Sequence, residues 1–350
     1  MMKFLRYLFL LFSLAMILAL MAFRSYAPQP QNDSKFHPIF SEEAPLQITL
    51  MGDMKSLLKD RGDESDYHPF QFIADGTDSL PVKIKIRGNF RRQRCKLPPL
   101  RLNFSGKTTL NTRFEGLDKV KMVVPCRWDK GNYRDFIAAE YLVYKGYNLI
   151  TDTSFQVRWV DFTIIDSLGK VDTIRERGFI IEPLELLAAR LGGKEDEVKY
   201  VHPNQTMAST TNHLSVYQYM VGNTDWSIPG VHNIKMVRTE PGASPIIIPY
   251  DFDWSGIINA PYANPDPTLG INSVTQRVYR GFCRPEAEME RTFARFRAAK
   301  EDMYALYQRP NMLSPKMQKY CLKYLDGFYD ILESDKLRKR HFFELCRTAN

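Results

Sequence analysis

Apolar and polar residues alternate with period two over residues 47–52 (QITLMG) and 82–89 (VKIKIRGN), so each run predicts a strand with one buried face. Residues 100–104 and 119–124 predict further strands, and 155–165 and 173–181 a hairpin around Asp166-Ser167-Leu168-Gly169. Residues 60–79, rich in Asp, Gly and Ser at both ends, read as a surface excursion between strands. The period changes at 133–145 (YRDFIAAEYLVYK), where Phe136, Ile137, Ala139, Tyr141 and Tyr144 gather on one helical face and Gly146 reads as the C-cap. Pro183 opens a helix over 184–191 that Gly192-Gly193 closes, and 210–221 forms a third. Beyond Pro285 the pattern is helical over 286–307, 314–333 and 335–348, with Ser314-Pro315 as N-cap and first-turn proline. A strand-rich half (46–182) thus precedes a helix-rich half (183–350), which predicts an α+β chain of two lobes.

The first residues follow a different pattern. Lys3 and Arg6 precede an almost unbroken apolar run over 7–23, and Ser25-Tyr26-Ala27 offers small residues for cleavage. Residues 1–27 therefore predict a signal peptide or an N-terminal membrane anchor, with attachment through residues 4–23 in the second case. A polar, proline-rich linker over 28–45 follows. Both alternatives export the body of the chain, to a periplasm or a cell surface.

Composition narrows the class. With 350 residues, 44% hydrophobic and 25% charged, the chain can bury a sizeable core. Its formal net charge of +8 includes Lys3, Arg6 and Arg24 of the leader, so the body is mildly basic. That suits an anionic ligand and does not call for nucleic acid. The dense cluster at 87–96 (RGNFRRQRCK) reads as a solvated basic strand and turn. Five cysteines (Cys95, Cys126, Cys283, Cys321, Cys346) show neither CxxC nor zinc spacing. Their odd number leaves at least one thiol outside any intramolecular pair.

The chemistry concentrates between Val221 and Ala263. Asp225 follows one apolar stretch, Asn233 follows His232 at the start of HNIKMV, and Asp251 and Asp253 follow the apolar run 246–249. In a strand, Asp251 and Asp253 point to one face, where two carboxylates repel unless a cation or an arginine lies between them. Carboxylates and a carboxamide at strand ends can hold a divalent metal on a polyphosphate, leaving Asp225 to orient a nucleophile. SGKTT at 105–109 is no phosphate loop: Arg101 stands where the motif needs glycine. Pairing of Asp251 and Asp253 with arginines such as Arg127 or Arg134 would point to a structural role instead.

GNTDW…HNIKMV…IPYDFDWSG resembles the N-x-D…HN…IPWD-x-D signature of the spore coat protein H (CotH) kinase-like family, an atypical protein-kinase-like group. KIRGNFRRQRCKLPPLRLNF, VKMVVPCRWDKGNYRDFIAAEYL and RGFIIEPLELLAARLG resemble its other blocks, in family order, across about half of the chain. The resemblance implies a two-lobed atypical protein-kinase-like fold, strand-rich N-terminally and mainly helical C-terminally. It implies ATP with Mg²⁺ or Mn²⁺, and phosphate transfer to a Ser or Thr hydroxyl of a protein acceptor. Residue by residue it makes Asp225 catalytic, places the metal on Asp251, Asp253 and Asn233, and puts Glu182 at the lobe junction. The family's phosphate lysine falls at Pro98 or Arg101, so Arg101, Lys85 and Lys96 are the candidate nucleotide cations. The competing expectation is an inactive pseudokinase that serves as an envelope or cell-surface binding protein.

Overall fold

The chain is seen here as a computed structural model that describes residues 35–348. The leader expected over 1–27, and residues 28–34 of the linker, lie outside the described residues. Seven strands form a closed barrel in the order β1-β2-β3-β4-β5-β7-β6. They are β1 (Leu46–Gly52), β2 (His68–Ala74), β3 (Asp78–Ile86), β4 (Leu100–Phe104), β5 (Lys119–Val123), β6 (Val157–Asp166) and β7 (Ile174–Ile181). Six of the neighbouring pairs are antiparallel. The seventh, β1 with β6, is parallel in the register Leu46↔Val160 to Gly52↔Asp166. An odd number of strands cannot alternate direction all the way round, so closure requires one parallel pair.

Two short helices, α1 (Pro38–Ser41) and α2 (Met54–Lys59), flank β1; α3 (Phe90–Arg94) joins β3 to β4, and α4 (Gly106–Thr109) follows β4. The barrel is filled by the inward residues of every strand, among them Leu50, Phe72, Ile84, Leu102, Met122, Phe162 and Ile180. The outer face of β5, β7 and β6 is apolar as well. Val123, Val157, Trp159, Phe179 and Ile181 join one core with α5 (Asn132–Ile150) and the later helices. These are α6 (Leu184–Arg190), α7 (Ala208–Val221), α8 (Glu286–Ala298), α9 (Lys300–Tyr307), α10 (Pro315–Glu333) and α11 (Asp335–Arg338). A second sheet, β10-β9-β8, consists of β8 (Lys194–Glu195), β9 (Ile234–Arg238) and β10 (Ile246–Pro249).

The expected two-lobed kinase-like fold is therefore corrected. In place of a strand-rich lobe followed by a helical lobe there is a closed mixed barrel, with helices packed on the outer face of β5, β7 and β6. Local alternation in β1 and β6 marks each as a half-buried strand, but their pairing across more than a hundred residues is invisible in that pattern. Three local expectations change too. β2 lies inside the supposed surface excursion, where Phe70, Phe72 and Ala74 alternate inward despite Pro69. The helix expected over 286–307 is two helices that meet at Ala299. Gly146 does not cap a helix: α5 runs through it to Ile150, and a Cβ at this position would lie 2.6 Å from Tyr217 Oη. Glycine is needed where α5 crosses α7, and Tyr217 Oη donates to Val143 O at 2.5 Å there.

Disulfides join Cys95 to Cys126 and Cys283 to Cys346, while Cys321 is free and buried. Two disulfides are consistent with export to an oxidising compartment. Among the described residues no helix is long and apolar enough to cross a membrane.

Candidate active site

α7 ends on Gly222, whose left-handed backbone (φ 70°) turns the chain; a Cβ there would strike Tyr324 Oη at 1.9 Å. The turn releases Asn223, which fixes the next residues. Its Oδ1 accepts the Asp225 N–H at 3.0 Å, and its carbonyl accepts Trp226 Nε1–H at 3.1 Å. Ser227 and His232 then exchange two backbone hydrogen bonds, of 3.0 and 2.9 Å, closing a tight loop. The loop brings His232 Nε2 to 2.9 Å from Asp225 Oδ1, and Asn233 Nδ2 donates to Asp225 Oδ2 at 2.9 Å. Asp225 is thus oriented on both oxygens, yet its side chain keeps 37% exposure.

β9 and β10 carry the chain on to the acidic pair. Tyr250 N–H donates to Asn233 O at 3.1 Å, and Asp251 N–H donates to Tyr144 Oη at 2.9 Å. β10 stops at Pro249, as the apolar run 246–249 predicts, so Asp251 and Asp253 lie just beyond the strand end and strand geometry does not set their common face. Asp251 has φ 63°, Asn233 φ 50° and Val231 φ 46°. Val231 and Asn233 stand just before β9 and Asp251 just after β10, so three non-glycine residues in the left-handed region, one of them β-branched, flank this strand pair; backbone strain of this kind clusters at functional sites.

The opposite wall comes from the barrel and α5. A cleft of about 210 Å³ is lined by Asp225, His232, Asn233, Asp251 and Asp253 on one side. Facing them are Arg87, Arg91, Lys121, Glu140 and Tyr144. Arg91 is buried in α3, which the Cys95–Cys126 disulfide ties to the chain just after β5; its Nη2 donates to Val124 O at 2.5 Å. Its Nη1 lies 3.6 Å from Glu140 Oε2, and its Nε is buried without a hydrogen-bond partner. Glu140 and Tyr144 are one helical turn apart on α5, so both face the cleft.

Burial holds the Glu140 carboxyl well above the ordinary carboxylate range; Arg91 opposes that shift, and Asp253 and Asp251 add to it. Asp253 is pushed up to about 7, first by burial and then by Asp251, against the pull of Arg91 and the Tyr262 hydroxyl. Lys121 is pulled down to about 7, first by burial and then by Arg87, although Asp251 partly restores it. Its Nζ sits 4.7 Å from the Tyr250 ring centroid. The cleft therefore holds buried acids with too little positive charge near them, beside a lysine with too little negative charge. A bound cation and a bound polyphosphate would correct both deficits.

The candidate metal residues fit such a cation in chemistry, as two carboxylates and a carboxamide offer hard oxygens. They do not form a closed cage: among the described residues no three His, Cys, Asp or Glu side chains are grouped to hold a metal ion. Mg²⁺ commonly takes one or two carboxylates and completes its shell from phosphates and water. Arg127 is paired with Asp129 and Arg134 with Glu176, so neither neutralises Asp251 or Asp253.

Four sequence candidates, Asp225, Asn233, Asp251 and Asp253, thus share the cleft. The other four do not line it. Arg101 is the cross-strand neighbour of both Lys85 and Lys121 on the barrel's outer face, and Lys85 Nζ stacks on the Tyr67 ring at 5.0 Å. Lys96 pairs with Asp129 at 2.6 Å, and buried Glu182 is held by Arg190 at 2.9 Å. Sequence reasoning missed Lys121, Arg87, Arg91 and Glu140. A lone acid inside the apolar run FIAAEYLVY was the available signal for Glu140.

No protein-family model matches the chain, and no curated protein matches it. Among solved structures it is similar to "The structure of hydra Fam20 with sugar", with 12% sequence identity, a TM-score of 0.31, and coverage of 89% of this chain and 90% of that one.

Proposed function

We propose that this protein is an exported phosphotransferase that uses ATP with Mg²⁺ or Mn²⁺ to phosphorylate Ser or Thr hydroxyls of a protein acceptor. The observation that supports the reading best is the convergence of Asp225, Asn233, Asp251 and Asp253 with Arg87, Arg91 and Lys121 on one cleft. At about 210 Å³ the cleft suits a phosphate chain and a cation, with the nucleoside end outside it.

Asp251 and Asp253, with Asn233, would hold the cation, which when bound neutralises phosphate oxygens. Lys121 and Arg87 would face the remaining phosphate charge from the barrel side. Asp225 would accept a hydrogen bond from the acceptor hydroxyl, held in place by His232 and Asn233. The acceptor oxygen forms its bond to the γ-phosphorus as the bond from that phosphorus to the bridging oxygen breaks. ADP leaves, and the hydroxyl proton passes to Asp225. The protein supplies positioning and charge compensation and forms no covalent bond of its own.

A second reading, a non-catalytic binding protein on the same cleft, has one observation in its favour. Both Asp225 oxygens already have partners, His232 and Asn233. Incubation with γ-labelled ATP, Mn²⁺ and a Ser/Thr peptide library separates the two. Incorporation into peptide that Asp225→Asn abolishes supports transfer; nucleotide binding without incorporation favours the binding protein.

A further inference from the structure

Three cations stand side by side on the outer face of the barrel, next to the cleft. Lys85 on β3 pairs in register with Arg101 on β4, and Arg101 with Lys121 on β5. Ile84, Leu100, Leu102 and Met122, which alternate with them, fill the barrel, so the three charged side chains point outward together. Directly opposed side chains in such a ladder stand about 5 Å apart, where like charges repel. Beyond the end of β3, Arg87 N–H donates to Pro99 O at 2.9 Å and continues the ladder. Arg87, Pro99 and Lys121 line the cleft, so the row begins at the cleft wall and leads away from it.

The row lacks its counter-charge. Lys85, Arg101 and Lys121 are each half-buried, and among the described residues none has a carboxylate within ion-pair distance. The acids around them are engaged elsewhere. Asp60, which Lys85 helps to keep ionised, accepts the Asp66 N–H at 2.8 Å and lies 3.0 Å from His68 Nε2. Asp251 acts on Lys121 from the acidic wall, where it also raises Asp253. Tyrosine rings, Tyr67 under Lys85 and Tyr250 under Lys121, stand at the two ends in place of carboxylates. Bound ATP carries its charge in three phosphates, which the cation at the acidic wall, Arg87 and Lys121 would meet. Arg101 and Lys85 lie one and two strands farther along, at about 5 and 10 Å from Lys121. An uncharged nucleoside would leave them uncompensated, whereas an anion that continues past the third phosphate would reach both.

We propose that the cleft and this row form one continuous phosphate-chain site, which takes linear inorganic polyphosphate with its end at the acidic wall and its following phosphates on Lys121, Arg101 and Lys85. The proposal rests on the phosphotransfer reading only for what the bound end does; chain binding is measured without transfer. The probes are inorganic tripolyphosphate and a medium-chain polyphosphate, titrated into the purified chain by calorimetry in excess Mg²⁺, beside polyglutamate of matched charge. The medium chain is expected to bind about tenfold more tightly than either of the others, as charge-assisted hydrogen bonds to two further cations allow. Arg101→Gln and Lys85→Gln should each reduce that preference and together erase it. Neither should lower the melting temperature, since each removes a like-charged neighbour. Lys316→Ala with Lys319→Ala, at two exposed positions on α10, should leave the preference intact. Equal affinity for the two phosphate probes, equal affinity for polyglutamate, or a preference that falls as far in the α10 variant as in the row variants overturns the proposal. Long-chain preference in a protein that ATP and Mg²⁺ do not stabilise would keep the phosphate-chain site and remove the nucleotide reading. Nucleotide stabilisation without long-chain preference would do the reverse.

Discussion

His232 Nε2 stands 2.9 Å from Asp225 Oδ1, and both residues line the cleft. If Asp225 orients the acceptor and His232 only orients Asp225, their substitutions separate. Asp225→Asn should lower kcat by roughly 10²–10⁴-fold with little change in KM for ATP. His232→Ala should lower kcat less, since Asn233 still holds the other oxygen. Steady-state kinetics on the two variants decide this. An equal loss from both would make His232 the base itself.

Arg91 and Glu140 are buried together, Nη1 3.6 Å from Oε2. Because burial already favours the neutral Glu140, Glu140→Gln should change stability little at neutral pH. Arg91→Met removes the guanidinium paired with Glu140 and leaves the buried Val124 carbonyl without its donor, so it should be the costlier change, by about 1–3 kcal/mol. Urea denaturation of both variants tests the contrast. A Glu140→Gln loss as large as that of Arg91→Met would show an ionised glutamate.

Lys121 has a folded-state pKa of about 7, against an ordinary 10.5. Between those values the unfolded chain binds more protons than the folded one, so this lysine makes stability rise with pH from about 7 towards about 10. Lys121→Met should therefore raise the neutral-pH melting temperature of the unliganded protein and flatten that alkaline rise, while weakening nucleotide binding. Melting curves taken from pH 6.5 to 9.5 supply the readout. An unchanged slope in the variant would place the titrating group elsewhere.

The Cys95–Cys126 disulfide ties α3, and with it Arg91, to the residue stretch just after β5. Replacing both cysteines by alanine should cost roughly 2–4 kcal/mol and loosen the nucleotide site as well. Cys321 is fully buried, with its thiol pushed up to about 12. Thiol titration without reductant should therefore find nothing reactive in the native protein and one group per chain after denaturation. Three or more thiols in the denatured sample would contradict the two pairings.

The strands and helices that make up this protein are largely visible in its local patterns, because each has one buried face. β1, β4, β5 and α10 lie within a residue or so of their expected bounds. What escapes is long-range: the β1–β6 pairing that closes the barrel, and the burial of the outer face of β5, β7 and β6 by α5. β2 escaped because Pro69 argues against a strand and apolar Ile73 at an outward position blurs its alternation. On the site, Asp225, Asn233, Asp251 and Asp253 were legible because short apolar runs flank them. Lys121, Arg87 and Arg91 were not. Which of the many basic residues turns towards the acids depends on barrel closure and on how the disulfide seats α3.

The most direct test of the central reading is thermal unfolding of the purified chain with and without ATP and Mg²⁺ or Mn²⁺, run beside Asp251→Asn. At a ligand concentration about 100 times Kd, binding should add roughly 2.7 kcal/mol of apparent stability. The account predicts that shift in the wild type and its loss in the variant. No shift with either metal, or the same shift in the variant, would contradict a nucleotide and metal site at the acidic wall.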